Sequence, residues 1–237
     1  MDKMQPTIGL AVIGDEILLG EVADENLAWI SSELFRLGAD LRYSCVLPDD
    51  LSFIVEHLDW MRERFQWVIT TGGIGATHDD LTRQAVANVL GVELEENAEV
   101  ILLLEEKVKR PLTEKLRDLA KLPAGSRLVA NPVTAAPGFI AGNIISLPGI
   151  PKLIQSMFGE LTELLRGETL ARSELFTDRY ESEIAEVLSE AQEKFSKVKI
   201  GSYPIMEEGF RVKLVLRSRS VSELTEAMEF LKKRINT

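Results

Sequence analysis

The feature that most constrains the fold is a regular alternation, over the first ninety or so residues, of short apolar segments with segments of helical periodicity. The apolar segments TIGLAVIG, LRYSCVLP and WVITT each end at a glycine, proline or polar turn, as buried strands do. Between them, two segments place apolar residues at helical spacing: Leu27, Ile30, Leu34 and Leu37, then Ile54, Leu58, Met61 and Phe65. This order predicts an α/β fold with a doubly wound, mostly parallel sheet covered by helices on both faces.

The pattern of predicted strands and helices changes after Gly167. The segments ELFTDRY, KVKIGSYP and GFRVKLVLRSRS have strand patterns, while SEIAEVLSEAQEKF and SELTEAMEFLKKRI have helical ones. We therefore predict two domains, residues 1–167 and residues 168–237, of which the second is a small α+β unit.

The net charge argues against one class of partner. The chain carries a formal charge of −11, nearly all of it in the first 167 residues. Nucleic-acid binding depends on clustered Lys and Arg, so we expect no nucleic-acid partner. A phosphate ligand would need backbone N–H groups or a metal ion to offset this charge.

Targeting and redox features are few. Cys45 is the single cysteine, which excludes an internal disulfide and a zinc-finger spacing. No apolar run approaches the roughly 18 residues of a membrane span, and the amino terminus lacks a signal-peptide pattern. We expect a cytoplasmic protein with no membrane partner.

Polar clusters follow all three predicted strands. GDEILLG comes after the first strand, PDD after the second and GGIGATHDD after the third. Because ligands of parallel α/β sheets bind at the carboxyl ends of the strands, these clusters predict one shared site.

The glycine-rich segment between the third strand and the next helix has the composition of an anion site. The backbone N–H groups of Gly72 to Thr77 are predicted to cradle a phosphate. No Gly-Lys-Ser/Thr follows, and the spacing differs from the dinucleotide fingerprint. Thr77 and Thr82 either donate hydroxyls to the phosphate or cap the turn.

Carboxylates surround this predicted cradle. Asp79 and Asp80 lie in the loop itself, and Asp15, Glu16 and Asp49 follow the neighbouring strands. Carboxylates beside phosphate oxygens repel them unless a hard cation bridges the two, so the pattern predicts a divalent cation.

Two roles stay open for the residues next to the cradle. One of Asp79 and Asp80 is expected to cap the following helix and the other to face the ligand. His78 is either a general base or a loop histidine that faces solvent.

The segments GDEILLGEVADENLAWIS and TTGGIGATHDDLTRQAVANVLG together resemble the molybdopterin-binding (MoCF-type) domain, most closely the amino-terminal region of the competence/damage-inducible protein A (CinA) family. NPVTAAPGF and SLPGIPKLIQSMF are similar to that family as well. The resemblance implies a KH-type second unit and self-association, for which we expect a dimer. The nicotinamide mononucleotide deamidase domain of full-length CinA proteins has no counterpart here, so no deamidase activity is expected.

The resemblance implies two candidate functions. One is a metal-dependent pyrophosphatase that uses Mg²⁺, Mn²⁺ or Co²⁺ on a nucleoside diphosphate such as ADP-ribose, FAD or coenzyme A. The other is a molybdopterin-binding protein of molybdenum cofactor biosynthesis that has no hydrolase activity. A domain that has lost its chemistry is the third possibility.

The resemblance also implies a set of site residues. For the pyrophosphatase, the acidic loops beside the cradle themselves predict that Asp80 with Asp15 holds the metal and that Asp80, Asp49 and His78 are catalytic. The ligand-binding positions carried over are Asp15, Glu16, Asn26, Gly72, Gly73, Gly75, Thr77, Thr82, Pro137, Gly138, Pro148 and Gly149. The G-x-x-G loop of nucleic-acid-binding KH domains is missing after residue 168, where the glycines are Gly201 and Gly209.

Overall fold

The computed structural model describes residues 5–109, 111–207 and 209–235; the outermost residues of both predicted domains lie outside these ranges. The chain divides into two compact units, Met1–Gly167 and Glu168–Thr237.

The first unit consists of eight strands and eight α-helices within the described residues. The strands are β1 (Thr7–Ile13), β2 (Asp40–Leu47), β3 (Trp67–Thr71), β4 (Leu94–Glu96), β5 (Lys121–Pro123), β6 (Arg127–Val129), β7 (Gly138–Ala141) and β8 (Ile144–Leu147). The helices are α1 (Asp15–Leu18), α2 (Asn26–Leu37), α3 (Leu51–Arg62), α4 (Thr82–Leu90), α5 (Ala98–Val108), α6 (Glu114–Asp118), α7 (Pro151–Met157) and α8 (Thr162–Leu165). A 3₁₀ turn, Phe158–Leu161, joins the last two helices.

Six of these strands form one sheet in the order β2-β1-β3-β8-β7-β6. β2, β1, β3 and β8 are parallel to one another, β7 is antiparallel to β8, and β6 is antiparallel to β7. β4 and β5 form a separate antiparallel pair. The predicted doubly wound, mostly parallel sheet is confirmed, and four parallel strands end at the same edge.

Helices cover both faces of this sheet. On one face, Ile54 and Leu58 of α3 and Val86 of α4 belong to a buried core. On the other face, Ile30 of α2 and Ile154 of α7 are fully buried in a second core. The helical spacings in the sequence therefore identify the faces that pack on the strands.

The second unit is a three-stranded antiparallel sheet with two helices, which confirms a smaller α+β domain. Its elements are β9 (Ala171–Thr177), α9 (Glu181–Lys194), β10 (Lys199–Glu207), β11 (Phe210–Ser218) and α10 (Val221–Ile235). The strand order is β10-β11-β9. Leu214 and Leu216 of the central strand pack with Ile184 of α9 and Leu224 of α10 in a core of their own.

No helix among the described residues is both long and apolar enough to cross a membrane.

Phe139 tests the importance of packing in the first core. Its side chain on β7 is fully buried, so Phe139→Ala is expected to lower the free energy of unfolding by about 3–5 kcal/mol. Phe53→Ala is the matched control, because Phe53 on α3 is 43% exposed and its loss should cost far less. Urea titration followed by circular dichroism measures both; equal losses would contradict the assignment of Phe139 to the core.

Candidate active site

The candidate site lies at the edge where the parallel strands end. Gly14 and Gly72 directly follow β1 and β3, and their N–H groups donate to the carbonyls of Leu47 and Leu147 at 3.1 Å. The loops after β1, β2, β3 and β8 are therefore held side by side. This agrees with the prediction that the polar clusters share one site.

The start of α4 holds the carbonyl groups of the glycine loop, defined here as residues 72–81. The Thr82 hydroxyl donates to the carbonyl of Gly72 at 2.9 Å, and the Thr82 N–H donates to the carbonyl of Gly73 at 3.0 Å. The guanidinium of Arg83 donates to the carbonyls of Ile74 and Gly75, the latter at 2.6 Å. Four consecutive carbonyls thus have partners on α4.

This arrangement turns four N–H groups of the loop in the opposite direction, those of Gly73, Ile74, Gly75 and Ala76. All described peptide bonds are trans, and in a trans peptide the N–H is antiparallel to the carbonyl of the preceding residue. Within the described residues, the N–H groups of Gly73, Ile74 and Ala76 donate to no protein acceptor. We call these three donors the N–H cradle.

Asp80 binds three donors of the loop. Its carboxylate accepts from the N–H of Gly75 at 2.6 Å, from the N–H of Thr77 at 2.7 Å and from the Thr77 hydroxyl. The N–H groups of Gly75 and Thr77 are therefore directed at Asp80, which narrows the predicted cradle to the three donors above. Asp80 shapes the loop; its catalytic and metal-binding roles stay predictions.

The prediction that Asp79 or Asp80 caps the next helix is wrong. Helix α4 begins at Thr82, after Leu81, with no side-chain cap. The oxygens of Asp80 are bonded inside the loop, one turn before the helix starts. Thr82 is fully buried, and its hydroxyl donates to a carbonyl of the loop. Of the two roles predicted for this hydroxyl, the structure therefore matches capping of the turn.

Asp15 and Asp49 hold each other's loops in place. The N–H of Asp15 donates to a carboxylate oxygen of Asp49 at 3.0 Å, and the N–H of Asp49 donates back to Asp15 at 3.3 Å. Burial raises the pKa of Asp49, and the charges of Asp15, Glu16 and Asp79 raise it further, against a lowering by the hydrogen bond from Asp15. Asp79 is thus the carboxylate of the glycine loop whose charge acts on Asp49. We call Asp15, Asp49 and Asp79 the acidic group.

The predicted metal ligands are not gathered into a complete protein site. Among residues 5–109, 111–207 and 209–235, no group of three or more His, Cys, Asp or Glu side chains is arranged to hold a metal ion. A cation here would need oxygens of its ligand in addition to the acidic side chains.

His78 has little to fix its position. Its side chain is 99% exposed, and its Nδ1 atom lies 3.9 Å from a carboxylate oxygen of Asp79. The geometry therefore matches the solvent-facing alternative, and the role of His78 as a general base stays a prediction.

A cleft of about 290 Å³ opens beside the N–H cradle. Its lining residues come from the glycine loop, the loop before β7 and the loop after β8: Gly73, Ile74, Gly75, Asp80, Asn131, Thr134, Ala136, Pro148, Gly149, Ile150 and Leu153. Of the two Pro-Gly turns predicted to line it, Pro148 and Gly149 do so. Pro137 and Gly138 are buried at the start of β7, where a Cβ on Gly138 would lie 2.6 Å from the carbonyl oxygen of Ser146.

Two buried polar atoms near this edge lack protein partners. Asn26 is 7% exposed and donates from Nδ2 to the carbonyl of Gly149 at 2.7 Å, while its Oδ1 atom has no partner. The hydroxyl of Thr71, at the end of β3, is also buried without a partner. Because such atoms normally bond to protein, water or ligand, they support Asn26 as a candidate binding residue and add Thr71 as a further one.

Sequence reasoning missed Thr71 and Arg83. Thr71 precedes the first glycine of the loop and was assigned to the strand. Arg83 follows Thr82 at the start of α4, and its 8% exposure is unusual for an arginine. Only the buried positions of these side chains identify them.

Two family models match consecutive parts of the chain. The model described as "Probable molybdopterin binding domain" matches residues 9–167, and the model described as "FAD synthase, middle domain" matches residues 169–237.

Individual relatives agree with these matches. A CinA-like protein of Geobacter sp. is 38% identical over 65% of this chain, which spans 39% of that relative. A probable FAD synthase of Caenorhabditis briggsae is 29% identical over 97% of this chain and 49% of its own length. The crystal structure of the protein CinA from Thermoplasma acidophilum, at 29% identity, matches 68% of this chain and 98% of its own with a TM-score of 0.64. The predicted resemblance to the CinA amino-terminal region is confirmed.

Gly72 tests the shape of the glycine loop. Gly72 has a φ of +96°, and a Cβ there would lie 2.2 Å from the carbonyl oxygen of Ile13. Gly91 also has a positive φ, +66°, but open space around it. Both Gly→Ala changes carry the left-handed penalty of about 1–2 kcal/mol. Because of the backbone overlap, Gly72→Ala is expected to cost about 1–3 kcal/mol more in urea unfolding, and equal costs would contradict the loop geometry.

Asp49 tests the electrostatics of the acidic group. The pKa of Asp49 is raised in the folded state, so the protonated carboxyl stabilises the fold relative to the charged one. This stabilisation is complete below the pKa of the unfolded chain, about 3.9, and is lost as the pH rises through the pKa of the folded state. Asp49→Asn should therefore raise the melting temperature at neutral pH, by a margin that vanishes towards pH 3.

Asp50→Asn is the control, measured alongside over the same pH range in the presence of a chelator. Hydrogen bonds from Ser52 and Phe53 lower the pKa of Asp50, so its charge stabilises the fold above about pH 4 and the substitution should lower the melting temperature at neutral pH. Shifts of the same sign in both variants would contradict the analysis.

Proposed function

This chain belongs to the family of the probable molybdopterin binding domain, and from that membership and the geometry of the glycine loop we propose that it binds a nucleoside diphosphate and hydrolyses its pyrophosphate bond. The observation that carries the proposal is the N–H cradle of Gly73, Ile74 and Ala76, three donors without acceptors among the described residues, of which Gly73 and Ile74 line a cleft. Backbone donors of this kind bind phosphate oxygens without needing a lysine or arginine at the surface.

The acidic group beside the cradle supports a divalent cation in the reaction. Mg²⁺ is commonly held by one or two carboxylates together with substrate phosphates, so an incomplete protein site fits this ion. Asp15 and Asp79 are the carboxylates we assign to it, because the oxygens of Asp80 are bonded to the loop. A bound Mg²⁺, Mn²⁺ or Co²⁺ supplies charge stabilisation of the phosphate oxygens and lowers the pKa of water.

Residues of this chain would bind the substrate and accept the proton of the attacking water. The N–H cradle binds and orients the diphosphate, and Asp80 keeps the cradle open by holding Gly75 and Thr77. Asp49, whose pKa is raised, is the carboxylate suited to accept the proton of the attacking water. Its N–H bond to Asp15 orients it without any contribution from His78.

The relatives support a substrate with an adenine nucleotide half. FAD synthase is the name of a relative that matches nearly the whole chain and of the family model for the second unit. We therefore propose FAD, ADP-ribose or coenzyme A as the substrate class.

A second candidate function is the binding of molybdopterin without hydrolysis, which the description of the matching family favours. The N–H cradle would hold the terminal phosphate of the pterin. The unpartnered oxygens of Asn26 and Thr71 are available to the polar edge of its ring. This function predicts a fluorescent pterin retained on the purified protein and no nucleotide cleavage.

A substrate panel separates these functions. The protein is incubated with ADP-ribose, FAD and coenzyme A, with and without Mg²⁺, Mn²⁺ or Co²⁺, and the products are resolved chromatographically. We expect metal-dependent release of an adenine mononucleotide from at least one compound. If none of these compounds is cleaved, the hydrolase proposal is contradicted.

Variants of the active protein test the assignment of the general base. Asp49→Asn should lower kcat about a hundredfold or more with a smaller change in KM, the range for loss of a general base. Asp50→Asn, which alters the neighbouring carboxylate outside the acidic group, should leave kcat unchanged. An unchanged kcat in Asp49→Asn would assign the proton transfer elsewhere.

A further inference from the structure

Arg83 lies directly behind the N–H cradle. Its side chain is 8% exposed, and its guanidinium donates to the carbonyls of Ile74 and Gly75 from the α4 side of the glycine loop. The N–H of Ala76 belongs to the same peptide group as the Gly75 carbonyl and points the other way. Arg83 therefore fixes the orientation of one cradle donor directly and of its neighbours through the loop.

The charge of Arg83 is buried without a direct ion pair. Within the described part of the chain, no carboxylate lies within 4.0 Å of its guanidinium, and the charges of Asp80 and Asp118 act on it from farther away. Burial is the main cause that shifts the pKa of Arg83, and it lowers it. A buried guanidinium of this kind is costly unless an opposite charge is nearby.

An anionic ligand bound on the opposite side of the loop would offset the positive charge of Arg83. The loop backbone separates the guanidinium from the cradle donors, and charges that are close and partly buried are screened less than exposed ones. The surrounding acidic group of Asp15, Asp49 and Asp79 repels anions. A cradle of neutral N–H groups alone has no net charge to set against that repulsion.

We propose that Arg83 is a positioning residue that orients the N–H cradle and supplies the buried positive charge by which this acidic protein selects a diphosphate over a monophosphate. The inference rests on the proposed function, because it assumes that the cradle binds phosphate. Thr82 completes the same support by holding the carbonyls of Gly72 and Gly73.

Three variants separate the charge of Arg83 from its shape. Arg83→Gln removes the charge and keeps a hydrogen-bond donor, whereas Arg83→Lys keeps the charge and loses the fork that reaches two carbonyls. Arg36→Gln is the matched control, because it changes the net charge equally at a side chain that is 65% exposed on α2. Thermal unfolding of each variant reports whether the fold is retained.

Binding of inorganic pyrophosphate and of inorganic phosphate is measured by titration calorimetry for all four proteins, with Mg²⁺ and over a range of KCl concentrations. We expect Arg83→Gln to bind pyrophosphate roughly ten- to a hundredfold more weakly than the unaltered protein, the loss typical of a charged interaction. The preference for pyrophosphate over phosphate should shrink as well. Arg83→Lys should weaken both ligands while keeping most of that preference, and Arg36→Gln should bind as the unaltered protein does.

Each outcome has a distinct meaning. If Arg83→Gln keeps both its affinity and its preference for pyrophosphate, the inference is overturned and the proposed function stands. The inference is also overturned if both Arg83 variants lose the two ligands in the same proportion, because a purely structural support would do that. If Arg83→Gln does not fold, the preference retained or lost in Arg83→Lys decides. Failure of the unaltered protein to bind pyrophosphate would remove the proposed function as well.

Discussion

The site depends on the hydrogen bonds from the start of α4 to the carbonyls of the glycine loop. Thr82 and Arg83 hold the carbonyls of four consecutive loop residues, and a trans peptide group cannot point its carbonyl one way without pointing its N–H the other. The free N–H groups that we propose as the anion site are therefore oriented by α4. Asp80 completes the shape by binding the N–H groups of Gly75 and Thr77, while the N–H groups of Gly73, Ile74 and Ala76 have no acceptor among the described residues.

The second constraint is electrostatic. The chain carries a net charge of −11, and the negative charges of Asp15 and Asp79 raise the pKa of Asp49. An anionic ligand enters such a site only with compensation. Backbone donors, a buried guanidinium and a cation brought in with the ligand are three sources of positive charge that do not require a basic surface. This combination explains how an acidic protein is suited to a phosphate ligand.

The sheet brings the parts of the site together. Because β1, β2, β3 and β8 are parallel and adjacent, their carboxyl ends place four loops within hydrogen-bonding distance of one another. Asn26 shows the result, since its amide on α2 reaches the carbonyl of Gly149 after β8, more than a hundred residues later in the chain. The second unit has its own core around Leu214.

The sequence by itself determined the strand and helix order, the parallel sheet, the glycine loop and the family, because periodicity, glycines and motif residues are local properties. It also placed Asp15, Asp49 and Asn26 at the right edge. Only the tertiary structure decided which loop donors are free, that Asp80 binds the loop while Asp79 acts on the acidic group, and that Arg83 is buried behind the cradle. Those roles depend on which way each peptide group and side chain points once α4 packs against the loop, and no spacing along the chain encodes that direction.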